Sequence, residues 1–431
     1  MAVTEILILV FSFLLLIAIG APIAVSIGLS SALTLVVSSP TIPALTTIAQ
    51  RMATGLDSFA LLAIPFFILS GQLMNRGGIA RRLIDFAKVL VGGLPGGLAF
   101  VNILACMLFG AISGSAAAAA SAIGGFMTPR MEEEGYDKPF GAAVNISSAT
   151  TGLIIPPSNV LIVFSLASGG VSIASLFVAG YGPGIILGIS LMVLSGIIAL
   201  KKGYKTGEWV PFKEGLRKLL DAIPSLLLLV IVIGGIVAGI FTATEASAIA
   251  VFYTLVLSFL YKEIKINELP SVLLETVKTT SIIMLLIGTS MGMSWVMAFE
   301  NIPQEVSSFL VGLSNNPVII LLIINLILLF VGVFMDMTPA VLIFTPIFLP
   351  VITEIGMNPI HFGIVMVLNL CVGLLTPPVG SLLFVGCSVA DLSITKVLKP
   401  MIPFFVVMIT VLMIVTYVPS ISLWPLSFLG L

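Results

Sequence analysis

Apolar residues fill this chain in long blocks, and the polar positions between the blocks recur. Runs without Asp, Glu, Lys or Arg cover Ile6–Gln50, Val89–Pro129, Pro139–Leu200, Val306–Met335, Ile355–Ala390 and Met401–Leu431. A helix needs about 20 apolar residues to cross the hydrocarbon core, so several blocks hold two passages. In the first half, charge, glycine and proline punctuate spans at about Ile6–Ile19, Ile23–Val37, Phe59–Met74 and Ile173–Leu200. Between them lies Arg81–Leu94, whose charges fall at helical spacing as in a helix lying along an interface. Two further blocks are interrupted: Gly97–Arg130 at Gly110–Ser115, and Pro139–Gly169 at Thr150–Ser158. The second half predicts spans near Ala222–Ile240, Ala246–Tyr261, Thr279–Phe299 and Pro403–Tyr417, with an amphipathic segment at Glu300–Ser314. Its interrupted blocks are Pro317–Pro350, broken at Met335–Pro339, and Pro359–Ala390, broken at Gly373–Pro378.

The halves superpose at one offset of 221 positions. It pairs Phe109 with Phe330, Pro129 with Pro350, Gly135 with Gly356, Gly152 with Gly373, and Pro156-Pro157 with Pro377-Pro378. Chance matching in an apolar composition supplies leucines, but not a matched Pro-Pro pair with two matched interruptions. The chain therefore reads as an internal duplication. Residues 1–200 form the first repeat, 201–220 a connecting loop whose glycines and proline break regular structure, and 221–431 the second repeat.

Composition settles the broad class. The chain of 431 residues is 59% hydrophobic and 9% charged, against about 25% charged in soluble domains. Mean hydropathy is +1.26. Continuous runs do not alternate as barrel strands do. A net charge of −1 argues against nucleic acid as a partner. Cys106, Cys371 and Cys387 lie in apolar segments without metal-ligand spacing, and His361 is the one histidine, so no resident metal or organic cofactor is expected. Met1–Gly20 lacks a basic start and reads as the first span.

Charge also orients the chain. If each break at Gly110–Ser115 and Met335–Pro339 is the tip of a re-entrant hairpin, each half crosses an odd number of times and the repeats are inverted. With both termini outside, every basic residue except Arg51 falls on or near the cytoplasmic face, as positive charge prefers. The predicted fold is an all-α polytopic membrane protein of two inverted repeats, each with a re-entrant hairpin and a broken helix.

Interrupted helices inside inverted repeats are where secondary transporters bind ions, because broken helices free carbonyls and helix ends. One candidate oxygen-lined site joins Ser113 and Ser115 to Thr150, Gly152 and Pro156; the other joins Asp336 and Thr338 to Gly373, Thr376 and Pro377. Such oxygens suit a hard cation. Asp336 is the sharpest residue, since an ionised Asp at midmembrane depth costs roughly 2.5–3.5 kcal/mol on insertion scales. Its counterpart is Ser115, so the duplicated sites differ by one formal charge. Glu245 sits near the outer end of two spans and could cap a helix start. A membrane enzyme would need clustered ionisable groups at depth, where Asp336 stands almost alone, so catalysis is not expected.

Several phrases resemble one family. Gly114-Ser-Ala116, Thr128-Pro-Arg-Met-Glu-Glu-Glu-Gly-Tyr136 and Ile155-Pro-Pro-Ser158 look like the first repeat of the large membrane subunit of TRAP (tripartite ATP-independent periplasmic) transporters. Ala63–Ile68, Ala243–Ser247, Met335–Pro339 and Leu375–Gly380 extend the likeness over essentially the whole chain. The alanine run Ala116–Ala120 departs from it. The resemblance implies a sodium-coupled, elevator-type importer of an organic acid such as sialic acid or a C4-dicarboxylate, in a bacterial inner membrane. It also implies that the two oxygen-lined sites hold sodium and that the anion binds near Ser113, Ser115, Ser158 and Asp336, held by hydroxyls and helix N-termini. It implies two partners, a periplasmic substrate-binding protein and a small four-helix membrane subunit. A stand-alone sodium–dicarboxylate symporter is the alternative.

Overall fold

A computed structural model describes residues 2–204, 207, 209–314 and 316–429. Among the described residues the chain is helical without strands, and eight helices are long and apolar enough to cross a membrane. The bent pair Lys138–Ile154 and Asn159–Ala167, which turns by 49° at its break, is apolar and long enough to be counted with them.

The helix boundaries carry the duplication. Ala116–Glu133, Lys138–Ala149 and Ile173–Lys202 begin 221 positions before Met337–Glu354, Pro359–Gly373 and Ile394–Tyr417. Counterparts also meet: Cys371 Sγ lies 3.6 Å from the Thr150 carbonyl, and these two residues are themselves 221 apart. Residues that touch their own equivalents sit at a pseudo-two-fold axis. The broken helices of the two halves therefore meet at the centre of the molecule.

Each half holds a hairpin. Gly97–Ser113 and Ala116–Glu133 pack together as hairpin 1, and Pro317–Phe334 and Met337–Glu354 as hairpin 2. Each turns at a two-residue tip, Gly114-Ser115 in the first and Met335-Asp336 in the second. Glycines bring each hairpin onto its broken helix: a Cβ on Gly110 would lie 2.6 Å from the Gly152 Cα, and one on Gly332 would lie 2.9 Å from the Gly373 Cα. Such small-residue contacts let membrane helices approach backbone to backbone.

Three features depart from the sequence expectation. Thr41–Gly55 is a helix within a run read as two spans. Its buried Ala44 and Ile48 face inward, and Met52 meets Gly292 of the long helix Leu269–Phe299. Its Thr46, Thr54 and Arg51 stay exposed, so hydropathy alone hides it. The connecting segment is helical at both ends, to Lys202 and from Phe212, because Pro211 sits at the N-cap and starts a helix rather than breaking one. Lys205, Thr206 and Glu208 of that segment lie outside the described residues. A helix at Ser420–Leu429 follows the last predicted span. The predicted interfacial segment Arg81–Leu94 is the helix Ile79–Val91, whose buried Ile79, Leu83 and Ala87 face hairpin 1 and Phe212–Val237, and the amphipathic segment Glu300–Ser314 is the helix Ile302–Leu313. Glu245 completes a capping box with Thr242 at the start of Ala243–Leu260.

Candidate functional site

Both hairpin tips and both helix breaks open onto one cavity of about 340 Å³. Hairpin 1 supplies Ser113–Ala118, and hairpin 2 supplies Asp336, Met337 and Thr338. The breaks supply Leu153, Asn159 and Val160 on one side, and Leu374, Ser381, Leu382 and Val385 on the other. The fourth wall is not part of either hairpin or break. It is one face of the helix Ala63–Arg76, presenting Ile68, Gly71, Gln72 and Asn75 at i, i+3, i+4 and i+7, with Thr279 and Ile283 beside it.

The two tips are built differently. At hairpin 1, Gly114 takes φ +62°, a left-handed conformation that suits glycine. Ser115 then caps the second helix, its oxygen accepting from the Ala118 N–H at 3.2 Å. At hairpin 2, Asp336 is the N-cap, yet its carboxylate makes no cap hydrogen bond. Its nearest donor is the Ser381 hydroxyl at 3.5 Å, and the residue is exposed to the cavity. A carboxylate that does not bond its own helix is free to face a cation.

Four helices begin at this cavity. Ala116, Asn159, Met337 and Ser381 are their first residues, and all four line it. Each start carries roughly half a positive charge from aligned peptide dipoles and unpaired N–H groups. No lysine or arginine lines the cavity among the described residues. The positive potential is therefore built from backbone, and the one formal charge on the wall is the carboxylate of Asp336.

The predicted site residues divide into two groups. Ser113, Ser115, Asp336 and Thr338 line the cavity. Thr150, Gly152, Pro156, Ser158, Gly373, Thr376 and Pro377 lie behind it, in or beside the breaks. There the Thr150, Ser158 and Thr376 hydroxyls donate to the carbonyls of Ser147, Leu153 and Val372 at 2.7, 2.6 and 2.8 Å. Each break contains a cis Pro-Pro bond, Pro156-Pro157 and Pro377-Pro378. Prolines carry no N–H, so carbonyls at the breaks lack helical donors. Sequence reasoning missed Asn159 and Ser381, the residues that start the helices after the breaks, and the wall residues Gln72, Asn75 and Thr279. Asn159 could have been found: it follows the Pro-Pro-Ser phrase directly, and its Oδ1 is buried without a partner.

Comparison with known proteins follows this geometry. The family described as the tripartite ATP-independent periplasmic transporter, DctM component, matches residues 10–421. The uncharacterised protein YgiK of Salmonella typhimurium is 53% identical over 97% of this chain and 96% of its own length. The C4-dicarboxylate TRAP transporter large permease protein DctM of Pseudomonas aeruginosa is 42% identical, over 94% of this chain and 95% of its own. Among solved structures, the YdaH transporter of Alcanivorax borkumensis shares the fold, with a TM-score of 0.64, 11% identity, and coverage of 89% and 88% of the two chains.

Proposed function

This chain belongs to the DctM component family of the tripartite ATP-independent periplasmic transporters, and from that premise we propose that it imports an organic acid by sodium-coupled secondary transport. It is a multi-pass membrane transporter and not an enzyme. The observation that carries the substrate class is the convergence of four helix N-termini on a cavity lined by no basic side chain among the described residues. That arrangement attracts a carboxylate and repels a cationic substrate.

Sodium supplies the driving force in this reading. One ion is held by Ser113, Ser115, Thr150, Gly152 and Pro156, the other by Asp336, Thr338, Gly373, Thr376 and Pro377. The support is that glycine contacts press each hairpin onto the break that supplies the other half of its site. The anion sits between the tips, near Ser113, Ser115, Ser158 and Asp336. Neutralising Asp336 with a cation makes the cavity attractive to an anion, which couples the two. The hairpins and broken helices then move as one body against the scaffold of spanning helices, in an elevator motion. A periplasmic binding protein delivers the substrate, and a small membrane subunit braces the scaffold. The chain lies in the bacterial inner membrane as two inverted repeats, 1–200 and 221–431, joined by 201–220 on the cytoplasmic side.

Proteoliposomes test the coupling. Uptake is expected to need an inward sodium gradient together with the binding protein and the small subunit. Undiminished uptake driven by protons alone would overturn the sodium assignment. Orientation has its own check, external cysteine labelling of intact cells. Cysteine at Asn316 should label from outside, and cysteine at Lys213 should stay protected. Efficient labelling at Lys213 would reverse the proposed topology.

A further inference from the structure

Resting on the anion-cavity reading above, we propose that the scaffold wall of the cavity selects a hydroxyl-rich organic acid, with Gln72 and Asn75 as the residues that read its hydroxyls. Both carboxamides project from the same face of Ala63–Arg76 as Gly71, which is pressed against hairpin 1: a Cβ there would lie 2.9 Å from the Ser113 carbonyl oxygen. They therefore stand directly beside the tip where the carboxylate is held. Neither side chain hydrogen-bonds another protein group among the described residues, so both are available to a ligand.

Position along the helix decides what they can receive. Gln72 and Asn75 fall in the last turns of a helix that ends at Arg76, where the dipole is negative. The four positive helix starts lie on the opposite elements, the tips and breaks. Arg76 does not line the cavity; it donates to the Ser271 hydroxyl at 2.6 Å and pairs with Glu275 at 2.8 Å. A second carboxylate reaching this wall would meet the wrong end of a helix and no cation. A hydroxyl meets carboxamides that can both donate to it and accept from it.

The duplication supplies a separate argument. In the second repeat, the stretch leading into the helix Ile302–Leu313 is Gly288–Phe299, which contains no asparagine or glutamine. It faces the helix Thr41–Gly55 instead of the cavity, with Gly288 and Gly292 against Leu56 and Met52 and with Val296 buried. Carboxamides occur on the copy that meets the cavity and not on the copy that packs on protein. Packing alone would not demand that difference.

The test uses the purified full-length chain in detergent with saturating sodium, titrated with D-gluconate, N-acetylneuraminate and succinate while thermal stability is followed. A ligand that binds the folded state alone stabilises it by RT ln(1 + [L]/Kd), so the melting temperature starts to climb at a concentration set by Kd. The hydroxylated acids should give a lower fitted Kd than succinate. Losing the hydrogen bonds in Gln72→Ala with Asn75→Ala should raise their Kd about three- to tenfold and leave that of succinate where it was. The sodium-induced stabilisation should not change, which separates lost recognition from a damaged fold. A double variant with the wild-type preference, or a wild type that prefers succinate, would overturn the assignment. Stabilisation by none of the three anions would overturn the anion cavity itself and this inference with it.

Discussion

Alanine at Gly152 or at Gly373 is expected to abolish transport and to lower the thermal stability of the purified protein. These equivalent glycines are the points where each broken helix touches its hairpin. A Cβ on Gly373 would lie 2.5 Å from the Gly332 Cα, and one on Gly152 would collide with the Gly110 backbone. Real Cβ atoms do not come so close, and the obstructing atoms are main chain, so no rotamer change relieves the clash. Overpacking typically costs about 1–3 kcal/mol, and backbone must move here rather than a side chain. The displacement would separate hairpin from break, and those two elements together form each proposed sodium site. Gly234→Ala is the control, because a Cβ there meets nothing within 4 Å and the position is helical. It should keep transport and gain about 0.5–1 kcal/mol of helix stability. Uptake and melting curves on the three variants check the expectation. Wild-type uptake by Gly152→Ala and Gly373→Ala would show that the hairpin–break contact is looser than the structure has it.

Much of the architecture is legible in the sequence because duplication writes it twice. The 221-residue offset anticipates where the second helix of each hairpin starts, at Ala116 and Met337, and where each broken helix starts, at Lys138 and Pro359. Glycine and the Pro-Pro phrase mark the breaks because their backbone chemistry excludes continuous helix. The helix Thr41–Gly55 escaped because its apolar side is short and becomes visible only against the partner helix it covers. The start at Phe212 escaped because a proline that opens a helix resembles one that ends a loop.

The candidate site was legible at the tips and hidden elsewhere. Ser115 and Asp336 stand out as polar interruptions of apolar blocks, and both line the cavity. Gln72 and Asn75 lie in a segment that also reads as an ordinary span end, where amides commonly face headgroups. Only tertiary structure brings that face to hairpin 1. Ser381 and Asn159 become functional candidates for the same reason, through helix starts that converge from different parts of the chain.

Asp336→Asn should weaken sodium binding more than any other single change at the tips. The substitution keeps the size of the side chain and most of its hydrogen-bonding capacity, so it removes charge and little else. Since the carboxylate makes no cap hydrogen bond, the helix Met337–Glu354 does not depend on it for its start. Folding and membrane insertion should therefore survive, and a neutral amide is easier to insert than an ion. A cation a few ångströms away is attracted far more by a full charge than by an amide dipole. The half-saturating sodium concentration should rise on the order of tenfold or more for a pair in a partly screened site. Ser115→Ala tests the other tip by a different route. Ser115 caps its helix, so its loss costs roughly 0.5–2 kcal/mol of tip stability. It should reduce transport capacity with a smaller shift in sodium dependence, because only a neutral oxygen is lost. Uptake measured across sodium concentrations, normalised to membrane expression, separates the two patterns. Wild-type sodium dependence in well-expressed Asp336→Asn would remove Asp336 from the sodium site and leave the second repeat's cation to be held by carbonyls and the hydroxyls of Thr338 and Thr376.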